Sequence, residues 1–118
     1  MSTRLEQIDG GNWKDFLQAP VAVLMLGKSD CAACAAWTEE LTAFLAGDTE
    51  FPTVRFGKML LDKGGLVSFK RAHPWIAELD VLPFNQMFVA GERSKSFAGG
   101  GVDRLVNRLR QLVQPANG

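Results

Sequence analysis

The segment VAVLML at positions 21–26, six apolar residues in succession, restricts the fold more than any other part of the chain. A strand with one face in water alternates polar and apolar residues. An unbroken apolar strand is instead typical of a sheet that is covered on both faces. The run is also far too short to cross a bilayer. We therefore expect an α/β fold in which helices cover both faces of the sheet.

Turn residues and apolar periodicity divide the rest of the chain into alternating elements. Asn12 is placed to cap the first helix, and Ser29 or Asp30 the second. Gly91 lies in a turn that predicts an antiparallel hairpin. The expected strands are residues 5–8, 21–26, 52–61, 85–89 and 95–98, and the expected helices are 13–18, 31–46, 66–72 and 102–113, with a helical turn at 75–80. This order predicts a central mixed sheet of four to five strands flanked by about four helices.

Length and charge narrow the functional class. A chain of 118 residues with 47% hydrophobic content forms one domain, residues 1–118, with a loose tail at about 114–118. Its 13 basic and 13 acidic residues balance without blocks of one sign, which argues against nucleic-acid or anionic-membrane partners. The first residues lack the apolar stretch of a signal peptide. We expect a cytoplasmic protein, a monomer or weak dimer, in a compartment that keeps thiols reduced.

The only two cysteines, Cys31 and Cys34, stand in the sequence SDCAACAAW and allow three interpretations. A structural zinc site needs four ligands, and His73 is the only other residue of suitable softness, so no metal is expected. Inert burial is possible because free cysteine is often a core residue. A working dithiol explains why both lie at the expected start of a helix.

The dithiol interpretation follows from the chemistry of a helix N-terminus. Unpaired N–H groups and the positive end of the helix dipole favour a thiolate there, and the thiolate is the reactive species. Cys31 would attack a disulfide, and Cys34, one turn later, would resolve the mixed disulfide. The carboxylate of Asp30 would oppose ionisation of the Cys31 thiol, whereas Lys28 would favour it.

A strand leading into CAAC, the segment VLPFNQMFVAGE with Pro83, a hairpin, a glycine turn and a final helix together resemble the thioredoxin superfamily from Leu5 to Val113. The resemblance implies a thioredoxin fold and thiol–disulfide exchange with protein substrates, as part of cell redox homeostasis. It implies a cis Pro83 beside Cys31, with Leu82 offering its backbone to the substrate. The residues expected to contact substrate are Asp30, Ala32, Ala33, Leu82, Pro83, Ala98, Gly99 and Gly100. No metal or organic cofactor is implied, and electrons would come from a reductase or from glutathione.

Several positions depart from thioredoxins proper. Asp30 replaces a tryptophan, Ala32-Ala33 replaces Gly-Pro, Met25 replaces a buried aspartate, and Glu39 stands where a proline kinks the helix. Lys58 matches the lysine usually found near that aspartate, as a modulating residue. Two alternatives remain open. Gly99–Gly101 with Asp103 resembles a glutaredoxin turn that holds glutathione, and the departures also fit a non-enzymatic binding or chaperone-like module.

Overall fold

The structure, a computed structural model, describes residues 4–113, so the tail expected at about 114–118 lies outside the described residues. Five strands and four α-helices follow one another in the predicted order. Their bounds are β1 Leu5–Gln7, α1 Trp13–Phe16, β2 Val21–Gly27, α2 Ala32–Gly47, β3 Arg55–Leu60, α3 Val67–Ala72, a 3-10 helix Pro74–Glu78, β4 Phe84–Val89, β5 Glu92–Ala98 and α4 Val102–Leu112. Within these residues no helix is both long and apolar enough to cross a membrane.

The strands form one mixed sheet in the order β1-β3-β2-β4-β5. Strands β1, β3 and β2 are parallel, β4 is antiparallel to β2, and β5 is antiparallel to β4. Strand β2 is central: Val23 pairs with Phe56 of β3 on one side and with Met87 of β4 on the other. The predicted α/β architecture is confirmed.

Two apolar cores explain why β2 shows no alternation. Leu24 and Leu26 enter a core on the side of α1, α3 and the 3-10 helix. Val23 and Met25 enter the second core, which α2 and α4 cover. Because alternate side chains of a strand point to opposite faces, both sets must be apolar when both faces are covered.

Two element ends differ from the prediction because hydrogen-bonded turns occupy the predicted positions. Helix α1 is shorter than expected, and Asn12 does not cap it. The Asn12 side chain instead accepts the N–H of Asp9 and donates to the carbonyl of Gln7, which closes the preceding turn. Strand β3 begins only at Arg55, because a turn in which Val54 donates to the carbonyl of Phe51 precedes it.

The β4–β5 hairpin is longer than predicted, since β5 begins at Glu92. The two loop residues Ala90 and Gly91 have φ of 53° and 83°, and two positive values are the hallmark of the tight turn that suits twisted strands. The register shifts between Gln86 and Phe88. There the Gln86 side chain donates to backbone carbonyls, including those of Ser94 and Lys95, and so satisfies the interrupted ladder.

Candidate functional site

Cys31 and Cys34 are joined by a disulfide, with their Cα atoms 5.2 Å apart. Strand β2 ends at Gly27, a short loop follows, and Cys31 immediately precedes α2. Cys31 is partly exposed, whereas Cys34 is only 2% exposed. The pair therefore presents one sulfur to solvent and keeps the other inside, as attacking and resolving roles require.

The N-cap of α2 is Cys31, so the expectation that Ser29 or Asp30 caps this helix was wrong. The backbone of Cys31 is extended, and its Sγ accepts the N–H of Cys34 at 3.1 Å. Ser29 is engaged elsewhere: its N–H donates to Asp62 Oδ1 at 3.0 Å. That backbone hydrogen bond is the main reason why the pKa of Asp62 is lowered. The loop before Cys31 is thus tied to the end of β3.

The surroundings of Cys34 are apolar and tight. A Cβ added at Gly27 would lie 3.1 Å from Cys34 Sγ and 3.7 Å from the terminal methyl carbon of Met25, so the missing side chain leaves room for the inner sulfur. Met25 is fully buried and packs in the same core as Cys34. Lys58 is partly buried and lies opposite Met25 on the neighbouring strand.

A cavity of about 460 Å³ opens beside Cys31. It brings together four of the predicted substrate-contacting residues, since Asp30, Ala32, Ala33 and Leu82 line it with Cys31. Lys28, Leu79 and Asp80 complete the lining. Pro83 is buried directly after Leu82, and the Leu82–Pro83 peptide bond is cis. Sequence reasoning missed Leu79 and Asp80, which come from the loop after the 3-10 helix.

The other predicted rim residues, Ala98, Gly99 and Gly100, do not line this cavity, but hydrogen bonds hold them beside Pro83 and Arg104. The N–H of Gly99 donates to the Pro83 carbonyl at 2.7 Å. Arg104 Nη2 donates to the carbonyls of Ala98 and Gly100 at 2.7 and 2.6 Å. We call residues 98–101 the glycine turn.

A buried hydrogen-bonded pair connects α2 to the glycine turn. Trp37 Nε1 donates to Asn85 Oδ1 at 2.8 Å, and Asn85 Nδ2 donates to the carbonyls of Phe97 and Gly99 at 3.2 and 2.8 Å. Asn85 is 0% exposed. A Cβ at Gly100 would lie 3.1 Å from the Trp37 ring, so a larger residue there would require the indole to shift by a few tenths of an ångström. The signal in the sequence was Asn-Gln inside the otherwise apolar strand FNQMFV.

Residues outside the site also make specific contacts. Arg104 and Arg108 of the last helix both stack over the ring of Phe97. His73 packs against Trp13 and Phe69, which belong to the core on the opposite face of the sheet from Cys34. Among residues 4–113, no three His, Cys, Asp or Glu side chains are grouped so that they could hold a metal ion.

No protein-family model matches the chain, and no curated protein matches it in sequence.

Comparison with solved structures finds a clear likeness to thioredoxins. Thioredoxin f2 of Chlamydomonas reinhardtii has a TM-score of 0.74 and 21% identity over 94% of this chain and 98% of that chain. Thioredoxin O2 of Arabidopsis thaliana, in its oxidized state, has a TM-score of 0.73 and 18% identity over 97% of this chain and 98% of that chain. Mitochondrial thioredoxin 3 of Saccharomyces cerevisiae, in its oxidized form, has a TM-score of 0.69 and 15% identity over 91% of this chain and 94% of that chain. The predicted thioredoxin fold is confirmed.

Proposed function

We propose that this chain is a thiol–disulfide oxidoreductase that acts on protein disulfides through Cys31 and Cys34. The observation that carries the proposal is the unequal pair of sulfurs: Cys31 faces a cavity at the start of α2, and Cys34 is buried one turn further along. Such an arrangement separates an attacking group from a resolving group.

In the reducing direction, the dithiol form of the protein passes two electrons to a substrate disulfide. The Cys31 thiolate attacks one substrate sulfur, the substrate S–S bond breaks, and the first substrate thiolate leaves. The Cys34 thiolate then attacks Cys31 Sγ, releases the second substrate thiolate and leaves the Cys31–Cys34 disulfide. The oxidising direction is the reverse of these steps, with each thiolate taking up or giving a proton to water.

The position of Cys31 supports the first step. The N–H of Cys34, which donates to Cys31 Sγ in the disulfide form, would donate to a thiolate in the reduced form, and hydrogen bonds to charged acceptors are the stronger ones. The N-terminus of α2 adds its positive dipole end. Both effects favour ionisation of Cys31 over Cys34.

The substrate would lie between the two parts of the site described above. Asp30, Ala32, Ala33 and Leu82 would contact it in the cavity, with Pro83 shaping the wall and the glycine turn forming the opposite rim. Lys58 is proposed to modulate the resolving thiol, because it lies opposite Met25 on the same face of the sheet as Cys34. The proposal needs no metal or organic cofactor. Electrons would come from a reductase or glutathione, with the protein acting in the cytoplasm as a monomer or weak dimer.

Trapping experiments test this proposal. With a protein disulfide such as that of insulin, Cys34→Ser is expected to accumulate a mixed disulfide through Cys31, because no resolving thiol remains. Cys31→Ser is expected to accumulate none, because Cys34 is buried. Non-reducing mass spectrometry identifies the adducts, and Glu92→Gln, at an exposed hairpin position, serves as the control that keeps full turnover.

Two results would overturn the proposal. If neither cysteine variant forms an adduct and the wild-type protein reduces nothing, the chain has no exchange activity. If Cys31→Ser nevertheless retains binding of a protein partner, the non-enzymatic module is favoured. That second candidate rests on the apolar surroundings of Cys34, which packs in one core with the thioether of Met25.

One hydrogen bond argues against the glutaredoxin-like alternative. The Gly99 N–H, one of the groups that would hold a glutathione carboxylate, already donates to the Pro83 carbonyl. Equilibration of the protein against glutathione buffers, followed by counting of free thiols, distinguishes a thioredoxin-like from a glutaredoxin-like activity. A single two-electron transition well below the glutathione poise supports a thioredoxin-like reductant, and a glutathione adduct as the main product supports the alternative.

A further inference from the structure

We propose, on the basis of the proposed exchange activity, that the cavity beside Cys31 selects substrate disulfides whose cysteine is flanked by lysine or arginine, and that Asp80 is the main specificity-determining residue. The cavity is lined by Cys31, the more exposed cysteine of the pair. A protein segment presenting its cysteine to Cys31 must therefore place the neighbouring residues against the other walls of this cavity.

Those walls are chemically divided. Leu82 and Leu79 are partly exposed and give an apolar surface, while the charged lining residues Asp30, Asp80 and Lys28 are exposed to solvent. The aliphatic stem of a lysine or arginine suits the apolar surface, and its charged head suits the carboxylates. A substrate side chain with a negative head would meet both carboxylates and only one ammonium group.

The three charges are free to act on a substrate. Among residues 4–113, neither Asp30 nor Asp80 makes a side-chain hydrogen bond or ion pair, and neither does Lys28. Two carboxylates and one ammonium group give the cavity a net charge of −1, although the chain as a whole has a net charge of +0. The preference is thus a local property of the site and not a steering effect of the whole molecule.

Asp80 gives a clearer test than Asp30. Asp30 precedes Cys31 directly, so its replacement also changes the ionisation of the attacking thiol. Asp80 belongs to the loop before Leu82, distant from Cys31 in the sequence, and lines the same cavity. Its replacement is expected to alter substrate choice, and the rate with a peptide of neutral flanking residues reports any accompanying change in the reactivity of Cys31.

Single-turnover kinetics test the inference without any reductase. The pre-reduced protein is mixed with symmetrical disulfides of short peptides in which arginine, glutamine or glutamate flanks the cysteine. Each rate constant is divided by that of dithiothreitol with the same peptide, which removes the intrinsic reactivity of the disulfide. We expect the arginine peptide to react about tenfold faster than the glutamate peptide at low ionic strength, with the difference shrinking at high salt.

Matched variants assign that preference to the cavity. Asp80→Asn is expected to reduce the arginine-to-glutamate ratio about threefold, and Lys28→Gln is expected to raise it, since the competing ammonium is gone. Glu92→Gln removes the same charge as the Asp80 change. Glu92 lies at the opposite end of the sheet from Cys31, because it pairs with Val89, and Val89 pairs with the first residue of β2. The Glu92 change should therefore leave the arginine-to-glutamate ratio unaltered.

The outcomes separate this inference from the activity on which it rests. Reaction with all three peptides at equal normalised rates, or a ratio that Asp80→Asn leaves unaltered, overturns the specificity while the exchange activity stands. No reaction with any peptide overturns the proposed function itself. A ratio that falls equally in Asp80→Asn and Glu92→Gln assigns the preference to overall charge and also overturns the role of Asp80.

Discussion

Met25 marks the main chemical difference between this site and that of the thioredoxins it resembles. A buried aspartate is expected there in the family, and this chain has a thioether that packs in the core of Cys34. A thioether accepts no proton at neutral pH. Residue 25 therefore cannot take the proton of the resolving thiol, and we expect the second chemical step to be slow.

Introducing a carboxylate at this position should reverse that effect. Met25→Asp is expected to speed attack by Cys34 about tenfold near pH 7, because the carboxylate can accept its proton. The same change should lower the free energy of unfolding by about 3 kcal/mol, because Lys58 can only partly compensate a buried charge. Rapid quenching of the mixed disulfide measures the step. Met25→Leu is the matched control, and equal rates in the two variants would contradict the prediction.

Among individual residues, the sequence predicted those that short-range sequence patterns identify. Cys31, Cys34 and Pro83 are recognisable because a helix start, a dithiol spacing and a proline before a strand are short-range patterns. Asn85, Arg104 and Asp80 were missed. The Trp37–Asn85 hydrogen bond joins residues 48 positions apart, and only the folded sheet brings them together. The N-cap was misassigned because sulfur is a rarer capping acceptor than a Ser or Asp oxygen.

Among the elements, the connection of greatest functional interest joins α2 to the glycine turn. Trp37 follows Cys34 by one helical turn, and Asn85 passes its hydrogen bond on to the carbonyl of Gly99. Arg104 donates hydrogen bonds to the carbonyls of Ala98 and Gly100, so each of the three carbonyls of residues 98–100 accepts a hydrogen bond from a side chain. The turn is consequently held in place before any substrate arrives.

Removing the amide should disturb this connection selectively. Asn85→Leu leaves the Trp37 N–H and the Gly99 carbonyl without partners, so we expect the free energy of unfolding to fall by about 3 kcal/mol. If the glycine turn contacts substrate, reduction of a protein disulfide should slow about tenfold more than reduction of a small disulfide that reaches only Cys31. Stopped-flow rates with both substrates measure the ratio.

Trp37→Phe, alone and combined with Asn85→Leu, completes a double-mutant cycle. We expect a coupling energy of about 1–2 kcal/mol, because the two side chains share one hydrogen bond. Equal slowing with both kinds of disulfide would mean that Asn85 only stabilises the fold.

The order of the elements was predictable because apolar periodicity and turn residues report it directly. Their ends were less predictable. Asn12 closes a turn instead of capping α1. In the β4–β5 hairpin, the Gln86 side chain forms hydrogen bonds at a register shift that no local sequence pattern predicts. In both cases a side chain competes with the regular backbone hydrogen bonds.

For the whole molecule, Arg4 fastens the beginning of the described chain to the α2–β3 connection. It donates to Asp48 Oδ2 at 2.8 Å and to the carbonyls of Phe51 and Val54. The Asp48 side chain is only 3% exposed. Burial alone would raise the pKa of Asp48, but hydrogen bonds from Arg4 and from the N–H groups of Phe51 and Glu50 outweigh it and lower the pKa.

This arrangement predicts a specific loss of stability in acid. A carboxyl whose pKa is lower in the folded than in the unfolded state contributes stability above the unfolded value, and loses it as the pH falls through the folded value. We therefore expect the free energy of unfolding to decrease as the pH falls from about 5 toward 2. Arg4→Ala should cost about 2 kcal/mol at pH 7 and flatten this decrease. Urea titrations at several pH values measure both effects.

The pair Arg110–Glu50 provides the matched control. It is also an arginine–carboxylate pair, but both side chains are largely exposed, so Arg110→Ala should change the stability at pH 7 little. A loss in Arg110→Ala as large as that in Arg4→Ala would show that burial does not govern these pairs.

The hydrogen-bonded indole of Trp37 has a practical consequence for spectroscopy. Residues three apart on a helix are neighbours, so the ring lies close to Cys34, and a disulfide at short range accepts an electron from an excited indole and quenches its emission. The other two tryptophans, Trp13 and Trp75, pack with the opposite core. The intrinsic fluorescence of the protein should therefore increase when the Cys31–Cys34 disulfide is reduced, and the increase should come from Trp37. It would follow each turnover without an added label.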